Sequence, residues 1–158
     1  RWGELDYLIA DLPPGTGDIQ LTIAQQVPTT AAVVITTPQD LALIDARKGI
    51  SMFEKVNIPV LGVIENMSYH VCSKCGHKEM IFGEGGGIKM AQQQGVQLLG
   101  QVPLHIHIRE QSDDGVPIVV AEPHSKLAVN YQKIARKIAA SLYFSGKTEP
   151  STIFAVNR

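Results

Sequence analysis

Four short apolar runs, separated by stretches with helical spacing, constrain the fold of this 158-residue chain more than any other feature. Each run is rich in Val, Ile and Leu, which is typical of a strand buried on both faces. The stretches between the runs place apolar residues three or four positions apart, as amphipathic helices do. This alternation predicts an α/β fold with a mostly parallel sheet and helices on both faces. The predicted strands are residues 6–11, 31–36, 59–66 and 97–102.

The same pattern predicts one domain, residues 1–143, followed by a tail without periodicity, residues 144–158, which we expect to be flexible. An irregular insertion at 67–84 carries both cysteines. The predicted helices span 17–27, about 40–56, 85–95 and 125–143, with a polar loop or short helix at 103–115 and an edge segment at 117–121.

Composition and charge exclude several classes of protein. Hydrophobic residues make up 44% and charged residues 18% of the chain, which is a globular composition. A formal net charge of −1 gives no reason to expect nucleic acid or an anionic membrane as a partner. No run is long enough to span a bilayer, and the N-terminus lacks the apolar segment of a signal peptide. Only two cysteines are present, so we expect a reducing, cytoplasmic setting rather than a disulfide-stapled secreted fold.

An acidic residue, Asp11, ends the first run and precedes a Pro/Gly-rich loop, Pro13–Gly17. A carboxylate at the carboxyl end of a buried strand can hold Mg²⁺ through water. A glycine such as Gly15 lets backbone N–H groups approach a terminal phosphate closely. The same spacing is also typical of a strand that ends in a plain turn. The motif alone therefore leaves a nucleoside triphosphatase site and a structural turn open.

No phosphate-binding loop of the form G-x-x-x-x-G-K-[ST] occurs in the chain. Its single Gly-Lys-Thr, at 146–148, has Ser141 where the first glycine belongs and follows a predicted helix instead of a strand. The glycines at 83–87 do not complete G-x-G-x-x-G, because Ile88 occupies the last position. If the protein is a nucleotidase, we expect its phosphate cradle to precede Arg1, which leaves the predicted domain incomplete at its N-terminus.

Polar residues stand at the carboxyl ends of three predicted strands: Asp11, Thr36 and Asn66. Ligands of open parallel sheets bind beyond this edge. The Asn66 carboxamide can both donate hydrogen bonds to and accept them from the edge of a nucleobase. Pro103, after the next strand, could pack against the same base. Asn66 is equally suited to a turn, so a structural role stays open.

The two cysteines, Cys72 and Cys75, have C-x-x-C spacing, with His70 and His77 close by. Two thiolates at this spacing can bind one metal centre. A zinc site within one chain would take both histidines as its remaining ligands. An iron–sulfur cluster with four cysteine ligands would need two chains about a two-fold axis. The same spacing is also compatible with a redox dithiol, or with two cysteines that have no chemical role.

Taken in order, these segments resemble the Mrp/ApbC family of iron–sulfur cluster carrier ATPases, relatives of MinD-type P-loop ATPases. The resemblance covers about residues 4–142, and the family's phosphate loop with its signature lysine has no counterpart here. The segments that carry it are DYLIADLPPGTGD, TTPQDLALIDARKGISMF, PVLGVIENMS, the C-x-x-C, FGEGGG and LLGQVPL.

The resemblance implies a P-loop NTPase fold and a homodimer whose two subunits share one [4Fe–4S] cluster. It also implies hydrolysis of ATP with Mg²⁺ and delivery of the cluster, from assembly scaffolds to apo iron–sulfur proteins. Within the family pattern, an aspartate holds Mg²⁺ through water, a switch loop senses the γ-phosphate, and two positions recognise adenine. The matching positions are Asp11 and Gly15 for catalysis, Asp11, Pro13, Pro14, Gly15, Thr16, Asn66 and Pro103 for nucleotide and Mg²⁺, and Cys72 and Cys75 for the cluster.

Two further functions stay open on the sequence. One is a MinD-like regulatory or positioning ATPase with a structural zinc knuckle. The chain shows no basic amphipathic helix for membrane targeting at its C-terminal end, which argues against it. The other is a non-enzymatic module that binds metal or a partner protein.

Overall fold

The computed structural model describes residues 3–13 and 17–146. Its elements in chain order are α1 (Asp18–Gln26), β1 (Ala32–Thr36), α2 (Asp40–Lys55), β2 (Val60–Glu65), β3 (His70–Val71), β4 (Lys78–Glu79), α3 (Gly86–Gln93), β5 (Gln97–Gln101), α4 (Ile106–Asp113), α5 (Ile118–Ala121) and α6 (Lys126–Phe144). Strands β1, β2 and β5 form a parallel sheet in the order β1-β2-β5, and β3 pairs with β4 as a short antiparallel hairpin.

Helices cover both faces of the parallel sheet. On one face, Val34 of β1 and Val63 of β2 belong to a core with residues of α2 and α3. On the other face, Leu99 of β5 packs with Ile134 of α6. Val63 and Leu99 are completely buried, and each such side chain stabilises the fold by about 1.5–3 kcal/mol. The predicted α/β architecture is confirmed.

Most element boundaries lie within two residues of those predicted from the pattern. The last helix begins where a capping residue ends the preceding loop: Ser125 Oγ accepts a hydrogen bond from the Ala128 N–H at 3.1 Å. Segment 117–121 differs, since it is helix α5 and not an edge segment. There the Pro117 carbonyl accepts from the Val120 and Ala121 N–H groups, which closes a helical turn.

The predicted strand at 6–11 is wrong for the described residues. This stretch has no strand assignment and pairs with neither edge of the described sheet. A strand forms only where a neighbour satisfies its N–H and C=O groups. Leu8 and Ile9 are consequently 63% and 89% exposed. The run is held at its end, where Leu12 packs on the core.

The last residues of the predicted tail, 147–158, lie outside the described part of the chain. Helix α6 itself continues to Phe144. The division into one domain and a flexible tail stays a prediction. No helix within residues 3–13 and 17–146 has the length and apolarity that crossing a membrane requires.

Gly100 allows α6 to approach β5 closely. A Cβ at this position would lie 2.5 Å from Ile134 Cγ1 and 2.8 Å from Ile134 Cδ1. We expect Gly100→Ala to lower the free energy of unfolding by about 1–3 kcal/mol, because strand or helix must shift. Urea unfolding followed by circular dichroism measures the change.

Gly49 provides the matched control, since it lies inside α2 with nothing within 4 Å of its Cβ position. Gly49→Ala should raise the free energy of unfolding by about 0.5–1 kcal/mol through helix propensity. Equal urea midpoints for Gly100→Ala and the wild type would show that the β5–α6 contact does not need a glycine.

Candidate functional site

Cys72 and Cys75 lie in the tight turn that joins β3 to β4. The Cys72 N–H donates to the His77 carbonyl at 2.9 Å, and the Gly76 N–H donates to the Cys72 carbonyl at 2.9 Å. Gly76 has φ of 71°, a left-handed conformation that glycine adopts without a Cβ clash. The turn therefore holds both cysteines in one short, hydrogen-bonded loop.

The surroundings of Cys72 favour its thiolate. Hydrogen bonds from the backbone N–H of Cys75, then from that of Lys74, and then from the Cys75 thiol lower the pKa of Cys72 below its ordinary value. Burial and the nearby Glu79 carboxylate oppose this shift more weakly. Cys72 is half-buried and Cys75 is exposed. Because the thiolate is the metal-binding form of cysteine, the turn is suited to hold a metal centre at the surface.

The neighbouring histidines do not complete a ligand set with the two cysteines. The His70 ring atom Nδ1 lies 3.3 Å from the Leu104 carbonyl oxygen, and His77 contributes its backbone carbonyl to the turn. Among residues 3–13 and 17–146, no three His, Cys, Asp or Glu side chains are grouped so that they could hold a metal ion. A closed zinc knuckle is thus not formed in this arrangement.

The hairpin is attached to the segment that follows β5. The Ser68 N–H donates to the Val102 carbonyl at 2.9 Å, and the Leu104 N–H donates to the Tyr69 carbonyl at 2.8 Å. On the hairpin itself, Lys78 Nζ lies 4.1 Å from the centre of the Tyr69 ring. An exposed cation–π contact of this kind contributes about 0.5–1 kcal/mol. These contacts fix the base of the hairpin beside the carboxyl end of the parallel sheet.

Thr36 and Asn66 meet at that edge, as predicted. The Asn66 N–H donates to the Thr36 carbonyl at 2.7 Å. Asn66 Oδ1 accepts from the Met67 N–H at 2.9 Å, so its side chain also takes the structural role in a turn that the sequence left open. Pro103 is buried directly after Val102, whose N–H donates to the Glu65 carbonyl at 2.8 Å. The role of Asn66 and Pro103 in adenine recognition stays a prediction.

Asp11 is exposed and lies in the irregular segment that ends at Pro13. It does not share a strand end with Thr36 and Asn66, because residues 6–11 pair with no strand of the described sheet. The Pro13 carbonyl accepts a hydrogen bond from Gln20 Nε2 at 3.1 Å, which ties this segment to α1. Pro14, Gly15 and Thr16 lie outside the described residues.

A fully buried carboxylate, Glu65, ends β2 and was not among the predicted site residues. Its Oε2 accepts from Ser68 Oγ at 2.5 Å and from Gln101 Nε2 at 2.7 Å, and its Oε1 accepts from the Gly87 N–H at 2.6 Å. Gln101 Nε2 also donates to Ser68 Oγ at 2.8 Å. The signal that could have found it is a charged residue at the end of a run of strand-forming apolar residues.

The glycine triplet at 85–87 serves close packing of α3. Gly85 precedes the helix with φ of 67°, which favours glycine. A Cβ at Gly86 would lie 2.8 Å from the Pro38 carbonyl oxygen, and one at Gly87 would lie 2.8 Å from Glu65 Oε1. These glycines therefore bring the N-terminus of α3 against β2 and the start of α2.

Similarity to known proteins identifies the family. A family model described as "ParA: NUBPL iron-transfer P-loop NTPase" matches residues 1–139. The chain belongs to this family. The resemblance to iron–sulfur cluster carrier ATPases is thereby confirmed at the level of the family.

Named relatives of this chain agree with that assignment. The "Iron-sulfur cluster carrier protein" of Escherichia coli (strain K12) is 59% identical over 152 residues, covering 96% of this chain and 41% of that protein. The "Iron-sulfur cluster transfer protein NUBPL" of Mus musculus is 52% identical over 141 residues, covering 89% and 44%. The chain spans less than half the length of these two relatives.

Solved structures support the fold of this chain. A nucleotide-binding protein from Archaeoglobus fulgidus, in complex with ADP, matches 80% of the chain and 51% of its own, with 38% identity and a TM-score of 0.68. The cell division ATPase MinD of Pyrococcus furiosus matches 70% of the chain and 43% of its own, with 24% identity and a TM-score of 0.54. The second likeness bears on the fold alone and confirms that it is MinD-like.

Proposed function

We propose that the intact protein is an ATP-dependent carrier that holds a [4Fe–4S] cluster between two copies of the chain and transfers it to apo iron–sulfur proteins. The observation that carries this proposal is the turn at 72–76. It presents one thiol with a lowered pKa and one exposed thiol, and in the described part of the chain no third His, Cys, Asp or Glu is placed to hold a metal ion together with them. The names of the carrier and transfer relatives support iron–sulfur cargo.

The cluster is the group that is transferred and not a permanent cofactor, and the geometry of the turn leaves it accessible for transfer. A [4Fe–4S] cluster is held by four cysteine thiolates. A C-x-x-C turn supplies two, so a second copy related by a two-fold axis supplies the other two. Such a cluster lies at the surface between subunits, where an acceptor's thiolates can reach it. A site enclosed within one chain would retain its cluster more firmly and release it less readily.

The nucleotide site of the proposed carrier lies at the carboxyl edge of the sheet. Membership of a P-loop NTPase family and the ADP-bound Archaeoglobus relative support it. The exposed Asp11 carboxylate, which forms no ion pair with any described residue, suits a water-mediated contact to Mg²⁺. The segment Pro13–Gly17, which includes Gly15, would sense the γ-phosphate, and Asn66 and Pro103 would flank adenine.

We place the phosphate cradle of the proposed carrier in the part of the longer relatives that this chain does not span. Cluster-assembly scaffolds would load the homodimer, and apoproteins in the cytoplasm would receive the cluster. Zinc in place of iron would instead favour a nucleotide switch with a structural metal.

Metal analysis of anaerobically purified intact protein tests the proposal. We expect about two iron and two acid-labile sulfide per chain in a dimer, which corresponds to one shared [4Fe–4S] cluster. Size-exclusion chromatography with light scattering gives the oligomeric state. About one zinc per chain without sulfide would overturn the proposal in favour of a structural metal site.

A further inference from the structure

We propose that Glu65 is a positioning residue that fixes both ends of the cysteine-bearing segment to the nucleotide edge of the sheet. Through it, ATP binding at this edge changes how the cysteines are held. This inference rests on the proposed function. The cysteine segment is defined here as residues 68–87, from Ser68 at the end of the turn after β2 to Gly87 in the first turn of α3.

One carboxylate holds both ends of the cysteine segment. Ser68 Oγ donates to Glu65 Oε2 at 2.5 Å, and the Gly87 N–H donates to Glu65 Oε1 at 2.6 Å. Cys72 and Cys75 lie between these two attachments. Any movement of the Glu65 side chain therefore acts on the start and the end of the segment together.

The same residue is joined to the proposed nucleotide edge through its backbone. The Glu65 carbonyl accepts from the Val102 N–H at 2.8 Å, next to Pro103. Asn66, the following residue, donates its N–H to the Thr36 carbonyl at 2.7 Å. Glu65 thus stands between the positions assigned to adenine and the segment that carries the cysteines.

Losing part of the Glu65 attachment is costly. Glu65 is 0% exposed, and a buried carboxylate that loses part of its hydrogen bonds bears a large desolvation cost. The absence of a Cβ at Gly87 lets the carboxylate and the α3 N-terminus meet, since a Cβ would lie 2.8 Å from Oε1. A ligand shifts such an element only if it binds its two arrangements with different affinity. ATP would favour one arrangement over the other through its contacts with residues 65–66 and 102–103.

Four variants of the intact protein test the inference. Glu65→Ala removes every hydrogen bond of the carboxylate. Ser68→Ala removes its bond with Ser68 Oγ and keeps the backbone bond from the Ser68 N–H to the Val102 carbonyl. Glu65→Gln is the conservative variant: its Oε1 can still accept from the Gly87 N–H and its Nε2 can donate to Ser68 Oγ, and the Gln101 amide turns over so that its oxygen instead of its nitrogen faces the new Nε2. Ser112→Ala is the matched control: it deletes a serine hydroxyl that donates to the Ile108 carbonyl at 2.7 Å on the exposed face of α4.

The first readout is the rate of cluster transfer to an apo-enzyme that a [4Fe–4S] cluster reactivates, measured with and without ATP. We expect the ratio of the two rates to fall to about one in Glu65→Ala and Ser68→Ala, with iron per chain unchanged, since the cysteines are intact. Glu65→Gln should keep most of the wild-type ratio, and Ser112→Ala all of it. A wild-type ratio in Ser68→Ala would overturn the inference. If Glu65→Ala does not fold, Ser68→Ala decides.

The second readout does not depend on a cluster. Hydrogen–deuterium exchange at the Cys72 and Gly76 amides should be roughly tenfold faster in Ser68→Ala than in the wild type, and unchanged in Glu65→Gln and Ser112→Ala. Unchanged exchange in Ser68→Ala would refute the positioning role. A wild-type protein that carries no cluster, combined with faster exchange in Ser68→Ala, would refute the proposed function and leave the attachment by Glu65 standing.

Discussion

Replacing Cys72 by serine should reduce bound iron and sulfide from about two of each per chain to less than about a tenth of that amount. Serine has a similar shape, but its hydroxyl does not ionise near neutral pH and is a poor ligand for iron. The backbone N–H groups of Lys74 and Cys75 that favour the Cys72 thiolate would then have no thiolate to stabilise. Iron and sulfide analysis after anaerobic reconstitution measures the loss.

Ser73→Ala is the control for this variant, because Ser73 is an exposed residue of the same turn. It should bind iron and sulfide as the wild type does. Cys75→Ser should behave like Cys72→Ser if both thiolates hold the cluster. Thermal unfolding should change little in any of the three, since the turn lies outside the hydrophobic cores. Full iron and sulfide in Cys72→Ser would remove the C-x-x-C from the proposed site.

Replacing Asp11 by asparagine should lower ATP turnover of the intact protein by about 100-fold or more. Asparagine keeps the size of the side chain but removes the charge that would hold Mg²⁺ through water. Because Asp11 is exposed and forms no ion pair with any described residue, the change should leave stability nearly unaffected. Phosphate release at saturating Mg²⁺ and ATP measures the effect.

Asp6→Asn is its matched control, since Asp6 is an exposed aspartate of the same segment and has no assigned role. Its turnover should equal that of the wild type. ATP turnover and cluster transfer that both stay unchanged in Asp11→Asn would contradict the assigned Mg²⁺ role of Asp11 and the coupling of hydrolysis to transfer.

The parallel sheet could be predicted because each of its strands is recognisable as a short run of apolar residues. The runs at 31–36, 59–66 and 97–102 are apolar on both faces, and the structure pairs them in one sheet. Helix α6 was equally readable, because Ser125 supplies the N-cap and an apolar stripe follows it. The resemblance to a carrier family rested on the order of several segments along the chain. No single short stretch of sequence shows that order.

The remaining features depend on contacts that a pattern does not specify. Residues 6–11 have the composition of a strand, but a strand also requires a paired neighbour, and the described sheet offers none. Segment 117–121 became helical because Pro117 and two following N–H groups close a turn. Glu65 was visible as a charge at the end of an apolar run, yet its partners Ser68, Gly87 and Gln101 are brought to it only by the fold.

The attachment of residues 68–87 at both ends makes this stretch a cassette. Its first and last residues bond to one side chain of β2, which holds its two ends next to each other. We therefore expect that changes in the length or the metal-binding side chains of the hairpin leave the register of β2 against β5 unchanged. Under the proposed function, replacing exposed residues of the hairpin would change which metal centre is bound, while the sheet that would hold the nucleotide keeps its sequence.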